Sequence, residues 1–155
     1  MSYQSLLTGA FLDQQLTDKL VTPEGGIAIK MINATGANSV KGSVLSIDTV
    51  VERGVRLQVV EYDCIGIMYS DGVANGEDIW VVISGVAEVL LEDGIAGTID
   101  YWTFAADVDG RADMLAQPPG GTITAIDNHF KEIGHCIETV ASGTDVLCKI
   151  VTHFN

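Results

Sequence analysis

The chain contains two related segments, and this internal repeat is the feature that most restricts its possible folds. Residues 65–83 align with residues 133–150 once Gly72 is left without a counterpart. Repeated segments of this kind are typical of a repeated supersecondary unit. Seven aligned pairs are identical: Ile65/Ile133, Gly66/Gly134, Val73/Val140, Ala74/Ala141, Gly76/Gly143, Asp78/Asp145 and Ile83/Ile150. These are residues of turns and apolar packing, so the repeat indicates a structural role and contains no nucleophile–base pair.

Each copy is predicted to form a strand, a loop and a longer strand. Alternation along the longer strands places one apolar triplet of each copy on matching faces. The triplets are Ile79, Val81, Ile83 and Val146, Cys148, Ile150. On the opposite faces, Trp80 and Val82 correspond to Leu147 and Lys149. Lys149 indicates that this face meets solvent in the second copy, whereas on the equivalent face of the first copy an insertion or another subunit can bury Trp80.

The remaining pattern predicts an all-β fold, either a single β-barrel or a β-sandwich. From residue 25 onward, short apolar runs are separated by turn residues, which is typical of such domains. The 17 glycines and 3 prolines suit short strands and tight turns. At 155 residues one β domain is expected, spanning 25–155. The predicted strands are 27–32, 44–47, 55–60, 62–69, 79–83, 86–91, 98–105, 111–115, 122–126, 133–138 and 146–154. Asp109-Gly110, between the strands at 98–105 and 111–115, indicates a hairpin.

The first 24 residues form a separate segment in this prediction. Its large apolar residues recur at spacings near four, which allows an amphipathic helix. An extended arm that lies on a neighbouring molecule is the alternative. Pro23 ends either structure, because proline disfavours helix at the residue before it. The apolar residues are Leu7, Phe11, Leu12, Leu16 and Leu20.

The charge of the chain disfavours two classes of partner. There are 8 basic and 21 acidic residues, for a formal net charge of −13. A nucleic-acid backbone requires Lys and Arg against its phosphates, and an anionic membrane surface attracts the same residues. No apolar run approaches the ~20 residues of a spanning helix, and no basic region resembling a secretory signal opens the sequence. We therefore expect neither nucleic acid nor membrane as a partner.

The histidines and cysteines do not form a recognisable metal or catalytic motif. No Cys-x-x-Cys or His-x₃-His spacing is present. His135 and Cys136 are adjacent, so on a strand they point to opposite faces and do not readily share an ion. The expectation is no catalytic residue, no cofactor and no metal site, with three reduced, half-buried thiols. The residues considered are His129, His135, His153, Cys64, Cys136 and Cys148.

Three segments resemble tailed-phage virion proteins. The first, residues 29–45, contains Asn-Ala-Thr-Gly-Ala at 33–37 and Lys-Gly-Ser-Val-Leu at 41–45. Residues 76–87 end in Ser-Gly-Val-Ala, and 132–150 supply the third segment. The resemblance covers the chain from about residue 27 to its end, through motifs built of common residues. It is a resemblance to small β-rich capsid decoration, or cement, proteins and to some fibre or collar modules.

The resemblance implies a non-enzymatic component of the virion, made in the host cytoplasm and located on the capsid surface. Such proteins bind the major capsid protein, assemble as homotrimers or other homo-oligomers and stabilise the head. Many weak contacts per shell suffice, since they act together. Phe11, Leu12, Leu16 and Trp80 are the predicted partner-contact residues; ordinary core packing is the alternative for each.

Three other functions stay open at this point. A fibre, collar or baseplate module is the nearest alternative. A glycan-binding module would use Trp80, Tyr101 or Trp102 as stacking platforms. A small β-barrel hydrolase would use Cys136 or His135, although no local signature supports such an arrangement.

Overall fold

The part of the chain described by our computed structural model consists of β-strands that form one sheet, which confirms the all-β prediction. The structure describes residues 18–59, 64–116 and 132–153. Its ten strands are β1 (Lys19–Val21), β2 (Gly26–Asn33), β3 (Val44–Ile47), β4 (Gly54–Leu57), β5 (Gly66–Met68), β6 (Asp78–Leu90), β7 (Trp102–Ala105), β8 (Ala112–Leu115), β9 (Glu132–Cys136) and β10 (Leu147–Thr152). Among these residues, no helix is long and apolar enough to cross a bilayer.

The sheet has two parts that share strand β6. Strand pairing runs through β2, β4, β3, β5 and β6, and β6 pairs back with β2, so these five strands form a small ring. The β2–β4 pair is parallel and the others are antiparallel. Beyond the ring, the second half of β6 pairs with β10, and β9, β7 and β8 follow in that order. We call these last four strands the extension.

Two apolar cores follow from this arrangement, because neighbouring residues on the ring strands face opposite sides. The ring core gathers residues from all five ring strands: Met31, Leu45, Val55, Met68, Ile79 and Val81. The interlayer core lies between the outside of the ring and the inner face of the extension. Its ring members include Ala28, Val44, Ile67 and Val82, and its extension members include Met114, Ile133, Cys136, Cys148 and Ile150.

A β-bulge at Ile83 moves the odd-numbered residues of β6 from the ring core to the interlayer core. Ala28 pairs with Val82 and Ile27 pairs with Ser84, so Ile83 is the extra residue. The bulge reverses the alternation, and Gly85 then faces the same side as Val82. Two separate strands were predicted at 79–83 and 86–91, and that prediction is wrong: the structure contains one 13-residue strand.

The two copies of the repeat form equivalent antiparallel strand pairs, but their matching faces are buried in different cores. The first copy forms β5 and β6, and the second forms β9 and β10. Val81 of the first copy lies in the ring core, whereas its counterpart Cys148 lies in the interlayer core. The expected equivalence of the inner faces is therefore wrong. Trp80 is half-buried and packs against the interlayer core of its own chain.

Several sequence predictions of detail are confirmed or corrected. The Asp-Gly turn at 109–110 joins β7 and β8 as an antiparallel hairpin. Of the strand expected at 62–69, the described residues 64–69 contain β5 at Gly66–Met68, and the strand expected at 98–105 is limited to Trp102–Ala105. Residues 19–21 of the N-terminal segment pair with β2 as strand β1. The strand predicted at 122–126 lies outside the described residues, as does the helix or arm before residue 18.

Candidate functional site

An apolar and aromatic band crosses the sheet face that points away from the interlayer core. Directly paired residues of neighbouring strands share a face, so the register identifies its members. Val86 pairs with Val151, Val151 with His135, His135 with Trp102 and Trp102 with Leu115. At the other end, Val21 pairs with Ile27, whose partner Ser84 is on the same face as Val86. We call the seven residues the outer band: Val21, Ile27, Val86, Val151, His135, Trp102 and Leu115.

The members of the outer band are in contact with solvent rather than with the cores. Val21 is 74% exposed, and Ile27, Leu115 and Val151 are each more than two-fifths exposed. Val86 is half-buried. Six inter-strand spacings of about 4.8 Å give the band a length of roughly 29 Å. The polar Ser84, opposite Ile27, interrupts it on β6, and Val86 follows two residues further along the same face. The band is therefore an extended surface feature of two apolar stretches and not a set of scattered apolar residues.

A second β-bulge, at Ile133 in β9, brings a carboxylate onto this outer face. His135 pairs with Trp102 and Gly134 with Thr103, but Phe104 pairs with Glu132, which leaves Ile133 as the extra residue. Simple alternation would place Glu132 and His135 on opposite faces. Because of the bulge they share one face, while Ile133 is buried in the interlayer core.

Glu132, His135 and His153 form a compact group that we call the Glu–His cluster. Glu132 Oε1 is 2.8 Å from Nε2 of His153 and 3.8 Å from Nε2 of His135. The Glu132 side chain is only 2% exposed, whereas the histidines are 36% and 40% exposed. His153 follows β10 directly, and its backbone N–H donates to the Ile133 carbonyl at 3.1 Å. A buried carboxylate thus lies beneath two accessible imidazoles.

Aromatic contacts orient the two imidazoles. The His135 ring packs against Trp102 with centroids 4.5 Å apart, and against His153 at 5.0 Å. Nδ1 of His135 is buried with no hydrogen-bond partner among the described residues, so the polar contact of this ring is made through Nε2. The cluster therefore presents Nε2 of each histidine toward one carboxylate.

The Glu–His cluster has a donor set that can hold a metal ion. Each of its three residues offers one ligand atom, and these atoms lie within 4.8 Å of one another. Among residues 18–59, 64–116 and 132–153, this cluster is the group of three or more His, Cys, Asp or Glu residues whose ligand atoms lie close enough to hold one ion. Imidazole nitrogen and carboxylate oxygen are ordinary ligands of zinc. Sequence reasoning expected no metal site and did not consider Glu132. The signal for it was the Gly134 between Glu132 and His135, since glycine inside a strand often marks a bulge.

The cysteines lie on the other side of the sheet from this cluster. Cys136 and Cys148 are buried free thiols whose sulfur atoms are 3.3 Å apart in the interlayer core. Burial raises the pKa of the Cys148 thiol well above its usual range, and the hydrogen bond with Cys136 acts in the same direction. His135 points outward and Cys136 inward, as the sequence predicted. They do not form a nucleophile–base pair.

The sequence-predicted contact residues occupy different places. Trp80 is half-buried against the interlayer core, with Lys30 Nζ 5.5 Å from its ring centroid, and does not belong to the outer band. Tyr101 also packs against the interlayer core, whereas Trp102 lies on the outer face. Phe11, Leu12, Leu16 and His129 lie outside the described residues.

No protein-family model matches this sequence, and comparison with the curated proteins likewise found no match.

Proposed function

We propose that this chain is a non-enzymatic virion protein that binds the outer surface of a capsid and stabilises the head. The outer band is the observation that supports a binding role. A protein that acts alone gains nothing from seven aligned apolar or aromatic side chains on adjacent strands, because each exposes apolar surface to water. The resemblance of segments 29–45, 76–87 and 132–150 to decoration proteins supports the major capsid protein as the partner.

The layered architecture suits this role. Two cores fix the sheet from both sides of β6, so the outer band is carried on strands and not on loops. A rigid surface of this kind loses little conformational entropy when it docks. Copies on neighbouring lattice sites need only modest affinity each, since their effects on shell stability accumulate. The proposed assembly is a homotrimer or another homo-oligomer at the lattice.

The test is to measure binding of the purified chain to capsids of the virus that encodes it. Val151→Asp places a charge in the middle of the outer band, where Val151 is 44% exposed. We expect capsid affinity to fall by at least about tenfold, since an unpaired charge buried at an interface costs more than about 1.4 kcal/mol. Val40→Asp is the matched control, because Val40 is 50% exposed and lies outside the band.

Two results would reject the proposal. One is absence of the chain from purified virions, measured by mass spectrometry of intact particles. The other is equal capsid binding by Val151→Asp and Val40→Asp. Sedimentation analysis of the free protein and of the capsid-bound protein measures the oligomeric state separately from the binding role.

A further inference from the structure

The two strands of the second repeat copy place three metal-ligating side chains together. Glu132 and His135 come from β9 and His153 from the end of β10, which are neighbours in the sheet. Because the Ile133 bulge is what aligns Glu132 with His135, the cluster depends on a backbone irregularity and not on regular alternation. Bulges of this type frequently re-aim side chains at functional sites.

The distances suit a tetrahedral ion. Zinc bonds to His nitrogen and Glu oxygen of about 2.0–2.2 Å place two ligands of one ion about 3.4 Å apart. The measured separations from Glu132 Oε1, 2.8 Å to His153 Nε2 and 3.8 Å to His135 Nε2, lie on either side of that value. All three ligand atoms lie within 4.8 Å of one another. Shifts of roughly 1 Å in the half-exposed histidines bring them to coordination geometry.

Charge and burial favour a cation at the same point. A carboxylate that is 2% exposed is stabilised by nearby positive charge, because its own charge is poorly solvated. The net charge of −13 raises the local concentration of cations around the whole chain. Both histidines are more than one-third exposed, which gives an ion access from solvent.

We propose that Glu132, His135 and His153 bind a divalent transition-metal ion of the zinc type. Two imidazoles and one carboxylate select zinc and its first-row neighbours over Mg²⁺ and Ca²⁺, which prefer oxygen ligands. Three protein ligands leave a fourth position for water or for a group of a binding partner. The site shares His135 with the outer band. Zinc binding by the free chain and capsid binding are measured separately, so each proposal can fail without the other.

The test uses the full-length chain, without an affinity tag, titrated with ZnCl₂ by calorimetry and with CoCl₂ by visible absorption. We expect about one ion per chain, and cobalt bands of a four-coordinate nitrogen and oxygen site. Glu132→Gln and His153→Gln are each expected to weaken zinc binding by at least ~100-fold, since loss of a supporting residue alone costs about 10–100-fold. Glu77→Gln is the matched control, because Glu77 is exposed and distant in the sheet from β9.

Three outcomes distinguish the Glu–His cluster from a cysteine site and from loose surface binding. His135→Gln changes a half-exposed side chain, so it tests the ligand set even if Glu132→Gln, checked by circular dichroism, fails to fold. Thiolate-to-cobalt charge-transfer bands would place the ion on cysteine and overturn the proposal. Zinc binding that is unchanged in Glu132→Gln, His135→Gln and His153→Gln, or no stronger than Ca²⁺ binding, would also overturn it.

Discussion

Gly134 is the residue on which the geometry of the Glu–His cluster depends. It lies in the β9 bulge with φ of +155°, and a Cβ atom there would be 2.1 Å from the Val151 carbonyl oxygen. That distance is impossible for a real side chain, so only glycine lets β10 approach β9 at this point. The same approach aligns Glu132 with His135 and brings His153 beside them.

Gly134→Ala is expected to lower the free energy of unfolding by ~3 kcal/mol or more, because the strands must separate to admit the methyl group. Gly36→Ala is the control: Gly36 has φ of +82°, but a Cβ atom added there would have no other atom within 4 Å. In Gly36→Ala only backbone strain should lower the free energy of unfolding, by about 1 kcal/mol. Urea denaturation of the two variants measures the difference, and equal losses would contradict the close-approach argument.

The Cys148 thiol is expected to be unreactive in the folded protein. Burial raises its pKa, so the nucleophilic thiolate is scarce near neutral pH, and the interlayer core blocks access as well. Iodoacetamide labelling followed by mass spectrometry should modify Cys148 at least ~100-fold more slowly in native than in urea-unfolded protein. Rapid native labelling at this residue would show that the interlayer core opens readily.

At the scale of single elements, the turn between β3 and β4 is stabilised by a side-chain acceptor. The exposed Asp48 carboxylate accepts hydrogen bonds from the backbone N–H groups of Val50 and Val51, at 2.8 and 2.7 Å. The hydrogen bond from Val51 is the largest cause of the lowered pKa of Asp48, and the hydrogen bond from Val50 is the second largest. The charged form is therefore the one that the folded turn favours.

This turn makes folding stability depend on pH in a defined direction. The pKa of Asp48 is lower in the folded protein than in the unfolded chain, where it is about 3.9. The folding stability that Asp48 contributes is therefore fully present at pH values above the unfolded pKa, and it is lost as the pH falls through the folded pKa. Asp48→Ala should therefore lower the urea midpoint more at about pH 7 than at about pH 2.5. A pH-independent effect of Asp48→Ala would contradict the hydrogen-bond origin.

The elements that sequence periodicity predicted well are those with regular alternation. The strand at 44–47 and the hairpin around Asp109-Gly110 needed only local pattern and turn chemistry. Bulges are different, because an extra residue is defined by the register of a partner strand. The Ile83 bulge joined two predicted strands into one, and the Ile133 bulge brought Glu132 to the outer face. The main candidate site was missed for that reason.

At the scale of the whole molecule, the repeat predicted two related strand pairs but not how they are buried. Alternation gives the two faces of a strand, whereas the layer that covers each face depends on the complete topology. In the first copy both faces are covered, one by the ring core and one by the interlayer core. In the second copy, Lys149 lies on the uncovered face and is 42% exposed, as the sequence predicted.

Because β6 contributes to both cores, neither part of the sheet has a complete core without the other. Val81 lies in the ring core and Val82, the next residue, in the interlayer core. Opening either core exposes one face of the same strand to water and weakens the other core through the shared backbone. We therefore expect the ring and the extension to unfold together in a single transition.

Truncation of one residue in each core tests this cooperativity. Leu45 of the ring core and Ile133 of the interlayer core are both 0% exposed, so Leu45→Ala and Ile133→Ala should each cost about 2–5 kcal/mol. Leu115→Ala, at a position 44% exposed in the outer band, should cost less than about 0.5 kcal/mol. In all three variants, urea transitions followed by far-UV circular dichroism and by tryptophan fluorescence should coincide. Two separate transitions in Leu45→Ala would show that the ring unfolds as an independent unit, since only its own core is truncated by that change.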